Sequence, residues 1–209
     1  MTINHLFVQY GCGFSPAKEW VNFDSSPTLR FERLPIIGKI YTKNVIRFPS
    51  EVKYGDIVKG LPIKPGSCSA VYCSHVLEHL ALNEFKVALK NTHKILKNGG
   101  FFRMVLPDLE YLINQYLNKS ESEAALQFMK DTHLGIEYRS KGMKEFVKLF
   151  FGNSQHLWMW DFKSLKVELE NAGFINIRRA EYLDSELSAF LNVENEDRWL
   201  NCLGVECKK

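Results

Sequence analysis

Short apolar runs closed by polar, glycine- or proline-bearing turns alternate along this chain with segments whose apolar residues recur every three or four positions. That alternation predicts an α/β protein built around a mostly parallel sheet. Residues 6–10 and 20–23 read as the first two strands, the first broken by Gly11-Cys12-Gly13 and the second ending in Asp24 and a Ser-Ser-Pro turn. The ten residues between Gly13 and Asp24 are too few for a crossover helix with its loops, so the first helix should be very short or replaced by a loop. Residues 28–66 have mixed polarity and four prolines, with a third strand expected near 52–54, leading into Gly55-Asp56-Ile57. A fourth strand is expected at 69–73. The helix predicted next, 83–97, carries Phe85, Ala88, Leu89, Thr92 and Leu96 on one face, has Lys94 and Lys97 near its carboxyl end, and stops at Gly99-Gly100. After a fifth strand at 101–106 comes an insert reaching to about Trp160, with helical tendencies at 109–117, 121–132 and 144–151. So long a connection predicts a helical cap over the carboxyl edge of the sheet. Asp161 then caps a helix bearing Phe162, Leu165, Leu169 and Ala172, ended by Gly173; strand six starts at 174–177 and a last strand covers 199–207.

With 209 residues, 45% of them apolar, the chain fits one domain spanning 1–209 with a substantial core. Twenty-seven Lys and Arg against 24 Asp and Glu leave a charge of only +3, spread without a basic block, which argues against a nucleic-acid partner. The start Met-Thr-Ile-Asn-His lacks a cationic flank before an apolar core, and no apolar run approaches the ~20 residues of a membrane span. Five cysteines without zinc-type clustering read as reduced thiols. Together these features predict a cytoplasmic protein with no membrane partner.

Candidate chemistry gathers at strand ends, where open α/β sheets bind ligands. Gly11 and Gly13 let the backbone turn sharply and pass close to a ligand, or make a plain tight turn. The third glycine of a dinucleotide motif is missing, since positions 14–16 are Phe-Ser-Pro; this favours a cofactor without a pyrophosphate. Asp24 closes strand two, where a carboxylate suits the two hydroxyls of a ribose; it reads equally as a turn residue. His75, Glu78 and His79 invite a metal reading, because the two histidines are four apart. Their order is His-x-x-Glu-His rather than the His-Glu-x-x-His of zinc proteases, and a strand-to-turn setting fits a metallopeptidase poorly. No metal is therefore expected.

Four stretches carry a resemblance: Tyr72-Cys73-Ser74-His75-Val76-Leu77-Glu78-His79-Leu80; Leu96-Lys97-Asn98-Gly99-Gly100; Pro107-Asp108-Leu109; and His156-x-Trp158-x-x-Asp161 ahead of Ala172-Gly173-Phe174. In this order the chain resembles the class I S-adenosylmethionine (SAM)-dependent methyltransferases, in particular their small bacterial type 11-like subgroup. The resemblance implies a doubly wound, mostly parallel, seven-stranded Rossmann-like sheet with an antiparallel last strand and a helical cap insert at about 108–160. It implies an enzyme with SAM as cofactor, held by Gly11, Cys12, Gly13, Asp24, Asp56, Ile57, Cys73, Ser74 and His75. Asp56 would reach the adenine amino group, Ile57 would pack on the ring, and Cys73 to His75 would face the methionine end. The chain departs from the family pattern at Gln9, where an acid usually stands, in the missing third glycine and in the shortened first helix.

Methyl transfer needs an acceptor in line with the activated methyl group and a group to take its proton. His156 and Asp108, on the cap side, are the candidate bases, with Tyr111, Trp158 and Trp160 as candidate pocket walls or core. The expected acceptor is a small molecule such as a sugar hydroxyl. The alternatives are an RNA or protein methyltransferase with a basic face at Lys141, Lys144 and Lys148, or a non-catalytic SAM- or nucleoside-binding module.

Overall fold

In the computed structural model, residues 5–36, 38, 46–137 and 155–209 are described. The strands are β1 (Leu6–Tyr10), β2 (Val21–Asp24), β3 (Val52–Tyr54), β4 (Cys68–Ser74), β5 (Leu96–Pro107), β6 (Ile175–Ala180) and β7 (Cys202–Lys208). They form one sheet in the order β3-β2-β1-β4-β5-β7-β6. The first five run parallel, while β7 lies antiparallel between β5 and β6. β1 and β4 are therefore neighbours although β2 and β3 intervene in sequence. Strand order reverses there, and the crevice above such a switch point is where this architecture binds ligands.

Every residue of β4 is buried, because both faces of the sheet are covered. On one face α2 (Leu82–Ile95) and α5 (Phe162–Asn171) press Phe85, Ala88, Leu89, Leu165 and Leu169 against Val8, Val71, Phe102 and Met104. On the other, Trp20, Phe190 and Trp199 pack on Ala70, Tyr72 and Val105. This second face has no crossover helix after β1. Residues 11–20 cross as a loop whose backbone is satisfied by two buried amides: Gln9 Oε1 and Asn22 Oδ1 accept from Ala17 N, and Asn22 Nδ2 donates to the Ala17 and Trp20 carbonyls. Buried main-chain groups need such partners where helical bonding is missing.

Two local predictions need correction. The helix α2 ends at Ile95 rather than at the double glycine, because Leu96 turns extended, buries its side chain and already pairs with Cys68 of β4. Gly99, at φ +72, instead serves an irregular stretch inside β5, where the pairing jumps from Cys68↔Leu96 to Ala70↔Phe101. Residues 27–32, left unassigned by periodicity, form the helix α1 (Pro27–Glu32), with the Ser26 hydroxyl accepting from Thr28 N and proline in its first turn.

The insert after β5 begins with α3 (Leu109–Leu117), capped by Asp108, and α4 (Ala124–Asp131). Its ends meet: Asp108 bridges Trp160, and Leu109 N donates to the Trp160 carbonyl at 3.0 Å. The expected helical stretch at 144–151 lies outside the described residues, as do Lys141, Lys144 and Lys148. All five cysteines are free thiols, and no described helix is long and apolar enough to cross a membrane.

Candidate functional site

The turn after β1 and the exit of β4 frame a cleft of about 320 Å³, lined by Gln9, residues 11–15, Tyr72, Ser74, Val193, Asn195 and Arg198. Gly11 and Gly13 adopt φ +67 and +55, the left-handed region glycine enters without penalty. Their surroundings differ. A Cβ on Gly11 would lie 2.1 Å from Val76 Cγ2, so the turn after β4 packs directly on this backbone, whereas nothing lies within 4 Å of the corresponding position on Gly13. Asp24 ties the turn to β2, its Oδ2 accepting from Gly13 N at 2.9 Å and its Oδ1 from Ser26 N at 2.7 Å. Each oxygen keeps a lone pair, and the side chain is half-buried.

The opposite wall comes from residues 181–201, which include short 3₁₀ turns at Ser188–Asn192 and Glu196–Arg198. Arg198 donates from Nε to Ser74 Oγ at 3.0 Å and from Nη2 to the Ser74 carbonyl at 2.9 Å, placing a guanidinium against the β4 exit. No local pattern marks Arg198 as a site residue, and the same holds for Asn195. Tyr72, on the β4 side of the cleft, has its Oη buried without a hydrogen-bond partner. A cleft with an open glycine and a cation fits a ligand with a charged, hydrogen-bonding end, as the amino-acid portion of SAM has.

The other expected cofactor residues are arranged less directly. Cys12 and Cys73 bury their side chains in the core, where burial pushes the Cys12 thiol up to about 12 and raises Cys73 as well, and of the two only Cys12 borders the cleft. Asp56 turns its Oδ1 to Val58 N at 2.9 Å and its Oδ2 to Lys59 Nζ at 2.8 Å, and Ile57 is 5% exposed within the core. His75, at φ +54, has Nε2 3.0 Å from the Arg198 carbonyl and 3.7 Å from Cys202 Sγ, and Nδ1 3.4 Å from Glu78 Oε1. Burial opposes its charge, but Cys202, Glu78 and the Arg198 carbonyl outweigh it and raise the pKa to about 10.

The two expected bases occupy different surroundings. His156 is buried beneath the cap, Nδ1 2.8 Å from the Thr132 carbonyl, with the His79 and His133 rings 5.0 and 4.9 Å away; burial foremost lowers its pKa and keeps it neutral. Asp108 borders a second cavity of about 320 Å³, lined also by Tyr111, Gln115, Lys119, Asn201 and Cys202. Its Oδ1 accepts from Glu110 N and its Oδ2 from Arg179 Nη1 at 3.2 Å. Of the aromatic candidates, Tyr111 lines this cavity and Trp158 is exposed, while Trp160 is 2% exposed and stacks on Phe85 at 4.2 Å as core.

Residues 33–104 match the family model of a methyltransferase domain. The fold is shared with a SAM-dependent methyltransferase from Archaeoglobus fulgidus, at 16% identity and TM-score 0.50 over 98% of this chain and 86% of that one. A chain of the Haloferax volcanii complex between the Trm112 methyltransferase activator and a methyltransferase gives 15% identity and TM-score 0.50, with 98% and 82% covered. Haemonchus contortus phosphoethanolamine N-methyltransferase 2, in complex with phosphomonomethylethanolamine and S-adenosylhomocysteine, gives 12% and 0.50, with 98% and 48% covered. No curated protein matches the sequence.

Proposed function

We propose that this chain, a class I SAM-dependent methyltransferase by its fold and its methyltransferase-domain match, methylates a small polar molecule that enters from the cap side. The observation that carries this reading is the pair of clefts on either side of the β4 exit. One runs from the glycine turn to Arg198; the other runs from Asp108 to Cys202. His75 lies between them, bonded to the Arg198 backbone on one side and in contact with Cys202 on the other. When bound, SAM supplies a methyl group already activated on a sulfonium, so the protein's task is positioning and proton removal.

Asp24 would accept from the ribose hydroxyls with its free lone pairs, and Arg198 would pair with the methionine carboxylate. The second role suits a chain whose usual motif acid is Gln9, spent here on Ala17 N. At the acceptor end, Gln115, Lys119 and Asn201 offer hydrogen bonds for a hydroxylated molecule such as a sugar, and a cavity near 320 Å³ suits a small ligand rather than a macromolecule. Two carboxylates line that cavity, Asp108 and Asp131, and Asp108, at the end of β5, is the group we assign to receive the acceptor's proton.

Isothermal titration with SAM and S-adenosylhomocysteine tests the cofactor end. Asp24→Ala and Arg198→Ala should each weaken binding by ~1–3 kcal/mol, the range for losing a hydrogen bond to a charged group. Unchanged affinity in either would remove that residue from the site. Once an acceptor is found by screening hydroxylated small molecules for methyl transfer, Asp108→Asn should cut turnover at least tenfold with SAM affinity intact. Wild-type turnover would exclude Asp108 as the proton acceptor.

A further inference from the structure

Behind His75, and lining neither cleft, sits a carboxylate that the methyl-transfer reading leaves unused. Glu78 is wholly buried; His75 Nδ1 lies 3.4 Å from its Oε1, while Oε2 has no hydrogen-bond partner. A buried carboxylate oxygen without a hydrogen bond is costly, and the Oε2 that His75 leaves unpaired would be relieved by a second cation. Histidines surround it. His79 Nε2 is 4.0 Å from Glu78 Oε1, and one ligating atom from each of Glu78, His79 and His156 falls within 4.8 Å of the others.

The orientation of the two rings is the telling feature. His79 Nδ1 lies 3.0 Å from the Gln155 carbonyl and His156 Nδ1 2.8 Å from the Thr132 carbonyl. A carbonyl only accepts, so each Nδ1 carries a proton and donates. In a neutral ring each Nε2 is then left with a lone pair. Metal-binding histidines are held in this way, the outer nitrogen donating to a carbonyl while the inner one ligates.

We propose that Glu78, His79 Nε2 and His156 Nε2 form a site for one divalent transition-metal ion of the zinc class, with a fourth position open. Two imidazoles and a carboxylate are a zinc ligand set. Ligands about 2.1 Å from a tetrahedral zinc stand about 3.4 Å apart, so small rotations of these side chains close the site. Glu78 and His79 belong to the turn after β4, and His156 to the segment returning from the cap. The Glu78 carbonyl already accepts from Leu157 N at 2.8 Å and Trp158 N at 3.1 Å, so the ion would fasten a junction the backbone has begun. The sequence order weighed against a peptidase leaves a structural ion untouched, and the inference is independent of the acceptor and of catalysis.

The test uses chelator-treated full-length protein and Co(II), whose visible absorption reports tetrahedral coordination. The wild type should bind one Co(II) per chain, Zn(II) should displace it, and stoichiometric Zn(II) should raise the thermal midpoint. Glu78→Gln, which keeps size and shape, and His79→Ala should each weaken Co(II) binding at least tenfold, with folding checked by circular dichroism. A wild type that binds no Co(II) at micromolar concentration and gains no thermal stability from Zn(II) would overturn the proposal, as would a folded Glu78→Gln protein that binds Co(II) as tightly as the wild type.

Discussion

Gly11→Ala is expected to destabilise the protein by about 2–5 kcal/mol and to weaken SAM binding at least tenfold. Two costs add at this position. An alanine at φ +67 pays about 1–2 kcal/mol for the left-handed backbone, and its methyl group, 2.1 Å from Val76 Cγ2, must push apart two packed segments for about 1–3 kcal/mol more. Those segments are the turn after β1 and the turn after β4, the two lips of the proposed cofactor cleft, so the strain falls where the ligand would sit. Gly13→Ala supplies the comparison, since its φ of +55 carries the backbone cost with nothing near the new methyl group. It should lose only about 1–2 kcal/mol. Shortening the obstacle in the double variant Gly11→Ala/Val76→Ala should restore the steric part alone, giving a coupling of about 1–3 kcal/mol between the sites. Urea unfolding of the wild type, Gly11→Ala, Val76→Ala, their double variant and Gly13→Ala measures this. If Gly11→Ala and Gly13→Ala unfold at the same midpoint, the contact with Val76 is not what makes Gly11 necessary.

Where local pattern and global packing agree, the chain could be read directly. The strands β1 to β4 are short apolar runs, and α2, α3 and α5 show helical spacing or capping residues, so their places followed from the sequence within a few positions. Local signals misled where tertiary contacts took over. A double glycine ends helices well, but Leu96 gains more by burying itself in β5 four residues earlier than by prolonging α2. Ser26-Pro27 announces a helix start as strongly as it announces a turn, so local pattern alone does not separate α1 from a loop. The expected site residues came from strand ends, and topology does gather Gly11, Gly13 and Ser74 around one cleft. Arg198 lies 124 residues from the serine it bonds, and His156 reaches the Glu78 cluster from the far end of the insert. Both are held by segments without periodicity, and no spacing rule links such pairs.

The segment carrying Arg198 owes its position to a second arginine, and Arg103→Met is expected to cost about 3–5 kcal/mol of stability, the range for breaking a buried ion pair. The Arg103 side chain, fully enclosed in the middle of β5, reaches Glu194 through Nε, Asp184 at 2.9 Å and Glu206 at 3.2 Å through Nη1, and the Glu181 carbonyl through Nη2. Its guanidinium also lies 4.5 Å from the Trp199 ring centre. Asp184 and Glu206 would keep Arg178, at 2.6 and 2.7 Å, but Glu194 would keep only Leu183 N. Methionine fills much of the space and leaves that carboxylate buried without a cation. Burial already holds the Glu194 carboxyl above the usual range with Arg103 beside it, so the variant should raise it further. Between about pH 7 and 5 the folded variant would then bind a proton that its unfolded chain has released. Stability therefore rises as pH falls, and the deficit against wild type shrinks. Arg103→Met/Glu194→Gln should recover much of the loss at pH 7, and the single variant should bind SAM more weakly, because the wall bearing Asn195 and Arg198 is no longer fastened. A deficit that stays constant from pH 7 to 5 and is unrelieved by Glu194→Gln would show that lost packing, rather than an orphaned charge, sets the cost.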